Sequence, residues 1–127
     1  NMQYAMIPLA YAEGMLFAQI GGGQIQALSA TTLKSLWISE KLGGQTLSPI
    51  TYKNGYIYTG TWNSDTTPGS YFCLSVTDED PSKGNEIKYC TWKYDHKGGF
   101  YWAGAYASEN YLVFGSDDGA GDAYTSI

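Results

Sequence analysis

The sequence predicts an all-β fold assembled from a repeated unit of short strands. Three observations predict it: an aromatic- and glycine-rich composition, strand-like apolar runs bounded by turn residues, and an internal repeat. The 127 residues include 12 Tyr, 4 Trp, 4 Phe and 16 Gly but only 4 Pro. Aromatic side chains fit pleated, half-buried surfaces and glycines fit the tight turns between them. The net charge is −5, and the seven basic residues are all Lys. Arg is the residue best suited to bidentate contacts with phosphates and bases, so an acidic chain without it is a poor partner for nucleic acid or an anionic membrane. No apolar run reaches the roughly 18 residues that a membrane-spanning helix needs.

The repeat is visible by direct superposition. Leu36-Trp37-Ile38 falls on Thr91-Trp92-Lys93 at an offset of 92 − 37 = 55, and Gly43-Gly44 then falls on Gly98-Gly99. Tyr56-Ile57-Tyr58-Thr59-Gly60 falls on Tyr111-Leu112-Val113-Phe114-Gly115 at the same offset without a gap. An upstream copy sits at 52 − 11 = 41, where Tyr11-Ala12-Glu13-Gly14-Met15-Leu16-Phe17 matches Tyr52-Lys53-Asn54-Gly55-Tyr56-Ile57-Tyr58. The turn-rich stretches 63–69 and 78–85 account for the longer second spacing.

Element by element, the first copy predicts strands at 5–11, 15–20, 24–29 and 35–39. Glu13-Gly14 forms the first hairpin turn and Gly21-Gly22-Gly23 the second. The stretch 29–40 has some helical character, but Thr31-Thr32 and Trp37-Ile38 favour a turn followed by a strand. The second copy predicts strands at 46–52, 56–62, 70–76 and 87–94, with Asn54-Gly55 as its hairpin turn. The third begins near 101–106, continues at 111–115 and reaches its third strand at 124–127. Four short antiparallel strands per repeat at this period predict a β-propeller fragment of about two and a half blades, spanning 5–39, 46–94 and 101–127 as one array. A β-sandwich is the alternative architecture. Because about four to eight blades close a propeller, the expectation is that the chain belongs to a longer polypeptide whose remaining blades are its partners.

At Ala27 the chain resembles the pyrroloquinoline-quinone-like, or quinoprotein-type, propeller repeat. That family ends its blades with the docking pattern Ala-x-Asp-x-x-Thr-Gly-x-x-x-Trp. Ala27, Thr32 and Trp37 fall in the matching places, while Ser29 replaces the Asp and Leu33 the Gly. The second copy keeps Trp92, with Cys73 in the Ala place and a longer turn between. The resemblance implies that the Trp packs between neighbouring blades. It does not carry a cofactor: no quinone or metal ligands are identifiable, and many proteins with such blades are non-enzymatic.

The remaining candidates have simple readings. Cys73 and Cys90 flank the turn 78–85 symmetrically, since (73 + 90)/2 = 81.5. A symmetric hairpin would place them opposite one another, either as a disulfide or as two small buried residues. A disulfide would imply an oxidising compartment. Asp117-Asp118-Gly119-Ala120-Gly121-Asp122 lacks the bidentate Glu of a calcium loop and reads as a solvated turn. Asp78-Glu79-Asp80 reads likewise. His96, the sole histidine, has no nucleophile in a recognisable elbow and reads as a turn residue before Gly98-Gly99.

Tyr56, Tyr58, Trp62, Tyr71, Tyr101, Trp102 and Tyr106 exceed what small blades can bury, and exposed Tyr and Trp make platforms for protein or carbohydrate. The functional expectation is therefore a non-enzymatic protein- or glycan-interaction or scaffold module. Its expected setting is a larger secreted or surface protein, of bacterial type, without membrane insertion or nucleic-acid binding. A segment of a quinone-dependent dehydrogenase is the alternative.

Overall fold

The computed structural model describes residues 9–46, 48–64, 67–100, 104–117 and 125–126. It is all-β. Sheet one contains β1 (Ala10–Ala12), β2 (Met15–Ile20), β3 (Gln24–Ser29) and β4 (Ser35–Ser39) as an antiparallel meander. Sheet two contains β5 (Thr51–Lys53), β6 (Tyr56–Gly60), β7 (Gly69–Ser75) and β9 (Trp92–His96), also antiparallel. Between β7 and β9, β8 (Glu86–Lys88) leaves its own unit and joins sheet one beside β4, in parallel. The third unit contributes the hairpin β10 (Tyr106–Ala107) and β11 (Leu112–Val113), then β12 (Ser116–Asp117) paired with β13 (Thr125–Ser126). The predicted strand segments at 5–8, 101–103, 124 and 127, with Tyr101 and Trp102, lie outside the described residues.

The repeat is written into the strand pairing. The three leading hairpins pair Ala10↔Phe17, Thr51↔Tyr58 and Tyr106↔Val113. The steps are 51 − 10 = 41 and 106 − 51 = 55, the two offsets of the sequence repeat. The first two hairpins turn through Glu13-Gly14 (φ 53° and 77°) and Asn54-Gly55 (φ 51° and 87°). Positive φ at both central residues is the type I′ geometry that matches strand twist. β5 touches both β1 and β10, so the leading strands of the three units lie in sequence beside one another.

The core lies between the two sheets. Phe17, Ile25, Ala27 and Trp37 of sheet one pack against Ile57, Phe72, Leu74 and Val76, all essentially excluded from water. The alternation of β3 and β6 supplies this face, since every second side chain of a strand points the same way. Trp37 Nε1 donates to the Val76 carbonyl oxygen at 3.3 Å, joining the two units by a polar contact inside the apolar layer. A buried indole N–H needs such a partner.

One predicted strand is corrected. The segment 87–94 is not a single strand of the second unit: its first part belongs to sheet one and its second to sheet two. The chain from 77 to 91 is a strap between the sheets. Lys88 anchors it, 4% exposed. Its ammonium donates to the Thr77 carbonyl oxygen, pairs with Glu79 Oε1 at 2.6 Å and sits 5.3 Å from the centre of the Trp37 ring. Glu40 N–H donates to Lys88 O at 2.8 Å and Cys90 N–H to Glu40 Oε2 at 2.9 Å, pinning the return. Pairing β8 with β4 satisfies backbone groups that an open edge would leave to solvent.

Candidate interaction surface

The strap changes the cysteine geometry. β9 pairs with β7 in the register Cys73↔Trp92, so Trp92, and not Cys90, stands opposite Cys73. Both thiols are free. The symmetric hairpin fails because 77–91 is drawn away to sheet one. Burial pushes the Cys73 thiol up to about 11, against hydrogen bonds from Thr91 and Tyr58 that lower it. Burial followed by the Glu40 carboxylate pushes Cys90 up to about 12.

The same register builds a matched pair of cross-strand rows. In sheet one, Phe17 lies opposite Ala27 and Ala27 opposite Trp37. In sheet two, Tyr58 lies opposite Cys73 and Cys73 opposite Trp92. The small central residue lets the flanking rings approach across the middle strand. Phe17 and Trp37 have ring centres 6.1 Å apart at 40°, and Tyr58 and Trp92 are 6.0 Å apart at 39°. The rows are equivalent in position and geometry, but not in burial: Trp37 is 0% exposed and Trp92 38%.

The turn between Ala27 and Trp37 follows the chemistry of its residues. Ser29 Oγ accepts from the backbone N–H of Thr31 at 3.3 Å and of Thr32 at 3.2 Å. Thr32 is exposed, and its Oγ1 accepts from Lys34 N–H at 3.3 Å. Its described hydrogen bonds are local to the turn, which it shapes. Leu33 holds φ 61°, a backbone conformation suited to glycine.

The far face of sheet two presents the aromatic surplus. Tyr71 stacks on Phe114 at 4.1 Å and 8°, and meets Phe100 edge-on at 5.3 Å. Tyr94 meets Phe100 and Phe114 edge-on at 6.5 and 6.3 Å. The edge-on arrangements suit the ring quadrupole. Tyr94, His96, Phe100, Leu112, Val113, Phe114 and Ser116 line an open cleft of about 380 Å³. A smaller one of about 230 Å³ lies between Tyr58, Trp92 and the segment 107–112.

The predicted binding aromatics separate under this description. Tyr106 is 63% exposed and Tyr56 40%, whereas Tyr58 and Trp62 are half-buried. Tyr71 is corrected outright: it is 0% exposed and cannot be a surface platform. Its hydroxyl has no hydrogen-bond partner among the described residues, and burial, then Tyr58, holds its pKa well above the usual phenol value. Tyr94, at 53% exposed and lining the larger cleft, was missed. Its signal was its place two residues after Trp92 on the same strand face.

His96 Nδ1 accepts the Gly98 N–H at 3.2 Å, a turn contact. The described residues hold no group of three or more His, Cys, Asp or Glu side chains placed to bind a metal ion. Among them, no helix is long and apolar enough to cross a membrane. Residues 118–122 of the Gly-Asp stretch lie outside the described residues. In comparison with known proteins, no family model matches the chain, and no curated protein matches it.

Proposed function

We propose that the chain is a propeller-type repeat segment serving as a non-enzymatic interaction module, with the far face of sheet two as its protein-binding surface. The observation that carries this reading is the unequal fate of two equivalent tryptophans. Trp37 is sealed by the next unit, while Trp92, in the same row position, stays 38% exposed beside a 53% exposed Tyr94. Contiguous exposed aromatic surface beside a cleft marks interaction sites. The identical hairpin registers and the row of leading strands support the propeller-type arrangement. The kinship with quinoprotein-type blades rests on the Ala27–Trp37 pattern, strengthened by positive φ at Leu33, where that pattern carries Gly.

A protein partner is favoured over a glycan because the exposed aromatics lie on β9, an edge strand with backbone groups to offer. Selection of displayed peptides on the wild-type chain, run beside a glycan array, tests the reading. The expected result is peptide ligands whose binding is lost in Trp92→Ala or Tyr94→Ala. Ligands that bind both variants as well as wild type would place the surface elsewhere.

A further inference from the structure

We propose that the outer edge of β9 is a docking site for a parallel β-strand of a partner polypeptide, one carrying an acidic residue followed directly by a basic residue. The inference deepens the proposed function and rests on it, because it names the partner's chemistry at that same surface. The chain already displays the occupied form of this edge in its first unit. β4, which holds Trp37, pairs in parallel with β8 in the register Trp37↔Glu86, Ile38↔Ile87 and Ser39↔Lys88. Lys88 then places its ammonium 5.3 Å from the Trp37 ring centre. β9, which holds Trp92 in the same row position, has β7 as its sole strand neighbour among the described residues. Its residues Trp92, Lys93, Tyr94 and Asp95 are all exposed.

The residues of β9 specify how an added strand should differ from β8. Opposite Tyr94, a basic side chain would reach the exposed face of Trp92, as Lys88 reaches Trp37, and gain a cation–π contact. At the Ile87 place the partner would face Lys93, where sheet one has Ile38, and a carboxylate suits that position. The alternating charges Lys93 and Asp95 also discourage indiscriminate pairing of this edge, as natural edge strands do. Backbone hydrogen bonds would supply affinity, and the two charged side chains would set register.

The test uses the full chain and a seven-residue peptide, the sequence of Lys83–Tyr89 bearing Ile87→Glu, with both ends blocked. Amide hydrogen exchange reads the site directly. The peptide is expected to slow exchange in 92–95 and to leave 36–39 unchanged, with a dissociation constant on the order of 100 µM. The charge swap Lys93→Glu in the protein should weaken that peptide roughly fivefold or more while favouring one with Lys at the same place. Trp92→Phe, which keeps a ring, should weaken it less than Trp92→Ala. No protection of 92–95 at millimolar peptide would overturn the proposal, even if displayed peptides were still found in the aromatic cleft. Protection that rises with protein concentration before peptide is added would mean a second copy takes the edge, which also overturns it.

Discussion

Replacing each tryptophan of the matched rows by alanine separates a sealed contact from an open one. Trp37 is fully buried, its ring meets Phe17 and Lys88, and its N–H is bonded to Val76 O. Truncating a buried Trp costs about 3–5 kcal/mol, to which the stranded Val76 carbonyl and the lost Lys88 cation–π contact add toward the upper end. Trp92 retains 38% exposure and borders an open cleft, so its removal leaves no sealed cavity. Counting only its partial burial at about 25 cal/mol per Å² puts the loss at roughly 1–2 kcal/mol. For a chain of this size each kcal/mol moves the midpoint by about 3–5 °C. Thermal unfolding followed by near-ultraviolet circular dichroism should therefore show Trp37→Ala melting roughly 10–20 °C below wild type and Trp92→Ala only about 3–8 °C below. Equal shifts would refute the claim that one position is a closed inter-unit contact and the other an open one.

Two further outcomes follow from local geometry. Leu33→Gly should raise the urea midpoint by the equivalent of about 0.5–1 kcal/mol, because relief of a left-handed Leu outweighs the looser unfolded chain. Leu33 is 63% exposed, so little burial is forfeited, and an unchanged midpoint would deny the strained turn. The cysteines give a pH signature: folded-state values near 11 for Cys73 and 12 for Cys90 stand above the ordinary 9.0. The unfolded chain then loses its thiol protons first, so their contribution is intact below about pH 9 and is lost progressively above it. Denaturant midpoints should fall between pH 9 and 11, less steeply in Cys90→Ala. An identical slope in that variant would remove Cys90 from the cause.

The repeat was legible because hairpin register and turn chemistry are local. Asn54-Gly55 and Glu13-Gly14 dictate the turn, the turn dictates the pairing, and a residue offset in sequence becomes the same offset in space. Cys73 in the place of Ala27 could be read for the same reason, since the row needs a small residue between two rings. The path of 77–91 was not legible. Whether Ile87 continues toward Trp92 or pairs with Ile38 depends on an edge some fifty residues earlier in the chain. The symmetric placement of Cys73 and Cys90 was a local argument applied to a segment governed by that distant contact. Tyr71 was misplaced for a related reason: composition counts aromatics but does not say which face a later unit will cover.

The strap that defeated the local reading also explains how the first two units are held together. A small sheet in a stacked repeat buries one face against its neighbour and leaves its outer strand with unpaired backbone. Here the second unit covers both at once, its sheet sealing Trp37 and its strap supplying β8 to the edge of β4. Lys88 belongs to both contacts, through the Trp37 ring and through β8. Face and edge of the first unit are thus closed by the same neighbour, whereas among the described residues the face of sheet two is only partly covered by Phe100, Phe114 and the β10–β11 hairpin, and its β9 edge is open. Face closure and edge closure are therefore separable in this chain. A partner strand at β9 could complete the second without displacing the residues that begin the first.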